Sequence, residues 1–420
     1  MISIITLPYG KSTLEFSISP LSADTITYSH KNAAVSADTS ASRIRHALVE
    51  PHGTAPLRVL ARGKQRVVIL ISDGTRLSPS AVLLPEILHE LNEAGVPDDA
   101  VDVIIALGMH RKHTEAEIKE LVGSDTFHRV RIHNHSAAEQ DCVRLGVTSA
   151  GTPIEINRTA TKADLRIATG NIEPHALVGI SGGVKALIPG IASRNCIEHN
   201  HSLSLQHTPI VGQPDNAIHR DLEEALNFIS IDFLLNVVVD HNQNVMEAVA
   251  GDPVTAHRIG VTLAECYFLV PVDQLYDIVL VSPGGHPKDI QLYQAIKSLR
   301  NAATITKPGG TILMAAECSE MFGNGLFQFW VETKDREHAV ASLKQQFVLG
   351  PHKVLHVDEV ISKHTVYLKS TVPQPLVKLL GFEPVDDLRS SFKHIISNSV
   401  SPSIAVMPHG ALTYPVVKNN

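Results

Sequence analysis

The sequence predicts an α/β protein of two domains, with largely parallel or mixed sheets flanked by helices. Three observations predict it. Short apolar runs such as RVVILIS (66–72) and VDVIIAL (101–107) have the length and character of strands buried on both faces. Each is followed by a turn and then an amphipathic helical pattern, and that alternation builds parallel sheets through crossover helices. The chain has 420 residues, 44% of them hydrophobic, which is more than one core usually accommodates.

The elements follow in order. Residues 1–7 and 12–18 are β-rich and flank Pro8-Tyr9-Gly10, so a hairpin is expected. Residues 42–48 suggest a short helix before Pro51. RVVILIS runs into Asp73-Gly74-Thr75-Arg76 and then Ser78-Pro79, where Ser78 is placed to cap a helix and Pro79 to occupy its first turn. Leu83, Leu84, Ile87, Leu88 and Leu91 form the apolar face of that helix. The 101–107 run leads into Gly108-Met109-His110-Arg111, and Thr114-Glu115-Ala116-Glu117 has the spacing of a capping box. Residues 165–169 read as a third strand, followed by a Gly-, Pro- and His-rich stretch reaching His201. Residues 222–228 read as helix and 237–239 as the end of a further strand. A boundary near Val270-Pro271 divides the chain into 1–269 and 270–420, with the C-terminal tail packing back on the first domain. In the second part, strands are expected at 276–281, 311–315, 366–368 and 404–407, and helices at 289–299, 337–347 and 387–396.

Composition narrows the function. With 43 acidic and 36 basic residues the net charge is −7, so bulk charge gives no support for binding nucleic acid or anionic membranes. No apolar run approaches the roughly 18–20 residues that span a bilayer, and the first residues lack a basic n-region. The four cysteines form no CxxC and read as reduced thiols in a cytoplasmic protein. The 23 histidines, several in Gly- and Pro-rich stretches, point to metal or proton-transfer chemistry.

Asp73, Thr75 and Arg76 lie between a buried strand and a helix start. That position suits a phosphate or carboxylate, and equally an internal Asp–Arg pair. His110 and His113 are three apart, but they sit at a loop–helix junction without an acidic third ligand of standard spacing. A single proton-carrying histidine is the better reading there. His133 and His135 read as structural or surface residues. The densest segment holds Glu173-Pro174-His175, Gly179-Ile180-Ser181-Gly182-Gly183-Val184-Lys185, Pro189-Gly190 and His199-Asn200-His201. Its glycines would let backbone N–H groups approach a ligand, and Lys185 has apolar neighbours that favour a nucleophilic amine. Farther on, Gln294 and Lys297 share a helix face, which spacing alone would assign to solvent.

Taken together these segments resemble the nickel-dependent lactate racemase family. The matching residues are SDGTR (72–76), GMHR (108–111), PHALVGISGGVKALIPG (174–190), NH (200–201) and GGHPKD with YQAIK (284–297). They stand in the family's order and cover most of the chain. The resemblance implies a two-domain α/β enzyme with its active site in the interdomain cleft. It also implies a nickel-pincer nucleotide: a pyridinium mononucleotide whose thioamide and thiocarboxylate arms hold Ni(II). By motif, Lys185 resembles the covalent anchor and His201 the nickel ligand. His110 and His175 resemble the paired acid/base histidines. Asp73 and Arg76 resemble the residues near substrate and cofactor, with Thr75, Gly182 and Gly183 about the nucleotide. Gln294 and Lys297 resemble the substrate-orienting residues, with Tyr293 beside them. The implied reaction moves hydride, not a proton, from Cα of a 2-hydroxy acid to the cofactor and back through a 2-oxo acid. Proteins that make the cofactor are the implied partners. His286 stands where family members commonly carry an aromatic or bulky residue, so it is expected in the substrate pocket and leaves the 2-hydroxy acid open. The rival readings are a zinc hydrolase using His110, His113 or His199, and a nucleotide-binding paralogue without turnover.

Overall fold

The structure is a computed structural model that describes residues 2–28, 37–175, 177–205, 207, 211–397 and 401–418. The chain forms two compact units. Residues 30–266 make one, and residues 1–29 with 267–420 make the other.

The 30–266 unit is built on a six-stranded sheet, in the order Val245–Gly251, Phe233–Val239, Leu165–Asn171, Val67–Ser72, Val101–Ala106 and Arg131–Asn134. The inner pairings are parallel, and only the outermost Val245–Gly251 runs antiparallel. RVVILIS and its neighbours are apolar throughout because helices and loops cover both faces: Val67 to Ile71 are all buried, as are all seven residues of Phe233–Val239. The chain enters at Val67–Ser72, steps outward through Val101–Ala106 and Arg131–Asn134, and returns on the other side at Leu165–Asn171. Strand order therefore reverses beside Val67–Ser72, and such a reversal leaves a crevice at the carboxyl ends of the strands.

Local signals fare unevenly. The Thr114–Glu117 capping box forms in both directions, opening the helix Glu115–Val122. The helix Ser80–Glu93 buries Leu83, Leu84, Ile87, Leu88 and Leu91, but its cap position is Pro79, and the buried Ser78 hydroxyl makes no capping bond. The helix expected over 222–228 is Ala217–Glu224 followed by a 3-10 turn at Ala225–Asn227. Its cap is Asn216, whose side chain accepts from His219 N–H. The helix expected over 289–299 is Leu292–Ala303, and the strand expected over 311–315 begins at Thr306.

The second unit carries a parallel six-stranded sheet in the order Glu383–Pro384, Thr365–Lys369, Thr306–Ala315, Tyr276–Val281, Ile404–Met407 and Asp24–Thr25. The N-terminal hairpin, Ile4–Tyr9 paired with Ser12–Ser17, belongs to this unit. Met1 lies outside the described residues. Ile5, Leu7, Phe16 and Ile18 join Ile278, Leu280 and Phe392 in one core. The first 29 residues thus group with residues 267–420 and not with the 30–266 unit. A two-stranded hairpin has too little core to stand alone. The tail strand Tyr414–Val417 pairs in parallel with Leu269–Val272 of its own unit. Among the described residues no helix is long and apolar enough to cross a membrane.

Candidate active site

In the 30–266 unit, three loops leave the carboxyl ends of Val67–Ser72, Val101–Ala106 and Leu165–Asn171. The first carries Asp73, which is 3% exposed. Its Oδ2 lies 3.1 Å from His110 Nδ1 and 3.9 Å from Arg76 Nε. Its Oδ1 accepts from the Thr75 N–H at 2.8 Å and the Thr75 hydroxyl at 2.5 Å. Burial pushes the Asp73 carboxyl up, but His110, Arg76 and the Thr75 hydroxyl outweigh it and hold it well below the usual carboxylate range. An ionised Asp73 keeps the proton of a neutral His110 on Nδ1, which turns the Nε2 lone pair into the ring's basic atom. Asp73 therefore pairs with its own Arg76, one of the two readings the sequence left open, and it also orients His110, which the sequence did not suggest.

His113 proves to be a buttress. Its Nε2 accepts from the Gly74 N–H at 3.0 Å, fastening the second loop to the first. The second loop is fastened to the third by Gly108 N–H donating to Gly190 O at 2.9 Å. Gly190 has no room for a side chain, since a Cβ would stand 2.2 Å from Ala186 O. Sequence reasoning weighed His113 with His110 as a metal pair and preferred a single proton carrier, and only the tertiary fold shows the acceptor role of His113.

The third loop folds into a short hairpin, Pro174–His175 against Gly179–Ile180, with Ala176 outside the described residues. His175 is buried, and its Nδ1 accepts from Leu177 N–H at 3.2 Å and Val178 N–H at 3.4 Å. That places the proton of a neutral ring on Nε2. Gly182 and Gly183 follow with φ of 84° and 57°. A Cβ at Gly182 would meet Asn236 Oδ1 at 2.5 Å, and one at Gly183 would meet His257 Cγ at 2.9 Å. These glycines are therefore required by the chain's own packing and left-handed turn, a reading the sequence ranked second to ligand approach. The half-buried Lys185 stands on the 3-10 turn Gly183–Ala186, between buried Val184 and Leu187. The helix Arg194–Ser202, capped by Ser193, carries the half-buried His201. It is pinned by Asn200, whose Nδ2 donates to Asp221 Oδ2 at 2.8 Å. His199 Nδ1 bonds to the Thr152 hydroxyl at 3.1 Å, so it too is structural. His175, Lys185 and His201 thus stand on three separate pieces of one segment.

In the other unit, Gly284 and Gly285 have φ of 120° and 72°, and His286 is exposed, with its N–H donating to Gly10 O at 2.8 Å. The fully buried Asp289 accepts from Gly10 N–H at 2.7 Å and from Glu317 N–H at 3.1 Å. The helix Leu292–Ala303 carries Tyr293, the buried Gln294 and the half-buried Lys297. Lys353, 3% exposed, holds its ammonium 4.7 Å from the centre of the Tyr293 ring, and His352 meets that ring edge-on. Neither residue had a motif or periodicity to single it out.

Comparison with known proteins decides the family. Residues 9–211 match the lactate racemase N-terminal domain, and residues 272–411 match the lactate racemase C-terminal domain. The chain belongs to the lactate racemase family. It is 33% identical to the lactate racemase of Thermoanaerobacterium thermosaccharolyticum, over 97% of each chain. It is also 33% identical to the lactate racemase of Lactiplantibacillus plantarum, over 76% of each. The lactate racemase apoprotein structure from T. thermosaccharolyticum covers 99% of this chain and is itself covered in full, with a TM-score of 0.86 and 31% identity. A Thermotoga maritima protein at 17% identity and TM-score 0.69 shares the fold. By family the protein is an isomerase of the racemase type. Among the described residues one trio of potential metal ligands is close-set, His219, Glu223 and His257. His110, His113 and His199, on which the zinc alternative depended, do not form one.

Proposed function

We propose that this lactate racemase family member racemises lactate or a related 2-hydroxy acid, using a nickel-pincer nucleotide joined to Lys185 and ligated by His201. The match to both family domains, with the motif residues in place, carries the reading. The donor chemistry fits the group. Lys185 offers a half-buried primary amine on a turn set by two positive-φ glycines, and the imidazole of His201 is a suitable ligand for Ni(II). When bound, the group supplies a ring that reversibly accepts hydride. The chain's own residues handle the protons and the carboxylate. His110, with Nδ1–H turned to Asp73, takes the hydroxyl proton of one enantiomer at Nε2. His175 faces the other enantiomer with its Nε2 side. In the arrangement seen, Nδ1 accepts from two backbone N–H groups and Nε2 carries the ring's proton, so Nε2 takes a hydroxyl proton once those two contacts open and the ring's own proton moves to Nδ1. Arg76 offers its guanidinium to the substrate carboxylate, and Gln294 and Lys297, with Tyr293 and His286, are the substrate-orienting positions that the family resemblance implies. The reaction is set in the cytoplasm, where Cys142, Cys196, Cys266 and Cys318 stay free thiols.

The test is to produce the protein together with the cofactor-synthesis proteins. Intact mass should then show a Lys185 adduct containing nickel and sulfur, and either lactate enantiomer should yield the racemate. Racemisation in D₂O should leave Cα free of deuterium. Stoichiometric deuterium uptake would refute the hydride route, and failure on a panel of 2-hydroxy acids at full loading would favour the nucleotide-binding alternative.

A further inference from the structure

His257 belongs to no motif that the sequence brought forward, yet it lies against the turn that presents Lys185. It sits on the helix Thr255–Phe268 and is 1% exposed. Its Nε2 lies 2.8 Å from Ser181 O, and Arg258 Nη1 lies 3.3 Å from its Nδ1. Since a carbonyl only accepts and a guanidinium only donates, the ring carries its proton on Nε2 and a lone pair on Nδ1. Arg258 is itself held by Glu223, at 2.8 Å to Oε1 and 3.0 Å to Oε2. Glu223 also lies 3.3 Å from His219 Nε2, and the His219 ring stacks on His257 at 5.4 Å. At the next peptide of the turn, Asn236 Oδ1 accepts from the Gly183 N–H at 2.7 Å. The carbonyl before Gly182 and the amide after it are therefore both gripped by buried side chains.

These contacts also exclude the obvious alternative. His219, Glu223 and His257 resemble a cation site by residue type. The carboxylate and the Nδ1 lone pair that a cation would need are already directed at the Arg258 guanidinium, whose positive charge opposes a second cation.

We propose that His257, its tautomer set by Arg258 and Glu223, is a positioning residue that holds the Ser181–Gly183 turn so that Lys185 is presented for its covalent link to the cofactor. This rests on the reading of Lys185 given above. The ring acts through one hydrogen bond to a main-chain carbonyl. A side chain that reproduces only that bond should therefore suffice, and Gln places its Nε2 amide where the imidazole Nε2–H stood.

The experiment compares wild type, His257→Gln and His257→Leu, each made with and without the cofactor-synthesis proteins. In the unloaded proteins, His257→Leu should raise hydrogen exchange about tenfold at amides 179–187 and leave the rest of the 30–266 unit unchanged. Its Lys185 adduct should fall about tenfold by intact mass, on the scale seen when a supporting hydrogen bond is lost behind a ligand. His257→Gln should restore both readouts. Equal loading of the Leu variant, exchange that rises across the whole unit, or failure of Gln to rescue would each overturn the proposal. So would stoichiometric metal in the unloaded wild type that is lost in His219→Ala. Absence of any adduct in the wild type would overturn the cofactor reading instead, and the exchange comparison would then decide the grip on the turn by itself.

Discussion

At the scale of single residues, the Asp73–His110 pair shows how much chemistry a fold adds to a motif. SDGTR and GMHR were visible in the sequence as two loops, but the 3.1 Å contact between them was not, because it joins residues 37 positions apart. Replacing either His110 or His175 with Ala should cut turnover by about 10²–10⁴-fold, the usual effect of losing a positioned acid or base. Single-turnover assays from the two enantiomers should separate the variants, since each histidine serves one face. Near-wild-type rates from both enantiomers would remove that histidine from the mechanism. Asp73 adds a test of stability. With His110 gone, burial regains ground against Arg76 and Thr75, and the Asp73 carboxyl should rise towards neutral pH. A carboxyl depressed in the folded state stabilises above its unfolded value near 4, and that stability is lost as pH falls. Wild type should therefore lose stability on acidification below about pH 4, whereas in His110→Ala that acid loss should shrink or reverse, because a carboxyl raised above its unfolded value is stabilised by protonation, as denaturant titrations across that range would reveal. His113 makes the complementary point: its residue type suggested a metal, and only its place against Gly74 gave it a role.

Among elements, the Gly182–Gly183 turn is the most sensitive joint. Its glycine content was legible, but the reason for it was not, since Asn236 and His257 reach it from other elements. Gly183→Ala must take a left-handed φ and displace a buried ring, so it should cost about 1–3 kcal/mol, read by chemical unfolding. The same joint carries a pH signature. Burial, then the facing His219, pushes His257 down to about 3. Arg258 lowers it further, while the Ser181 carbonyl and Glu223 raise it. Below its ordinary value of 6.5 the unfolded chain binds a proton that the folded chain refuses. Stability is therefore full above that value and falls as pH drops from it towards 3, at up to about 1.4 kcal/mol per pH unit. His257→Gln removes this group's share. Between pH 7 and pH 5 it should lose about 1–2 kcal/mol less than wild type. Equal losses would show that the imidazole is not buried neutral.

For the whole molecule, the N-terminal hairpin is the instructive case. Burying Ile5, Leu7, Phe16 and Ile18 contributes about 6–12 kcal/mol at the usual value per side chain, comparable with the total stability of a domain. Deleting residues 2–20 should therefore unfold the 267–420 part while the 30–266 unit keeps its exchange protection. A milder probe is Asp289→Ala, which strands the buried Gly10 and Glu317 N–H groups and should cost about 1–3 kcal/mol without loss of fold. The sequence by itself determined the strand–helix alternation, the buried character of runs such as RVVILIS, the Thr114 capping box and the motif residues that mark the family. All of these depend on neighbours a few positions apart, where periodicity and side-chain chemistry act locally. Only the tertiary structure decided which unit the hairpin joins, that Pro79 and not Ser78 stands at the helix cap, that His113 and His257 are supports, and that Tyr293 faces Lys353. Those outcomes depend on pairings between segments distant in the chain, whose energies arise from burial and hydrogen bonding that no local pattern encodes.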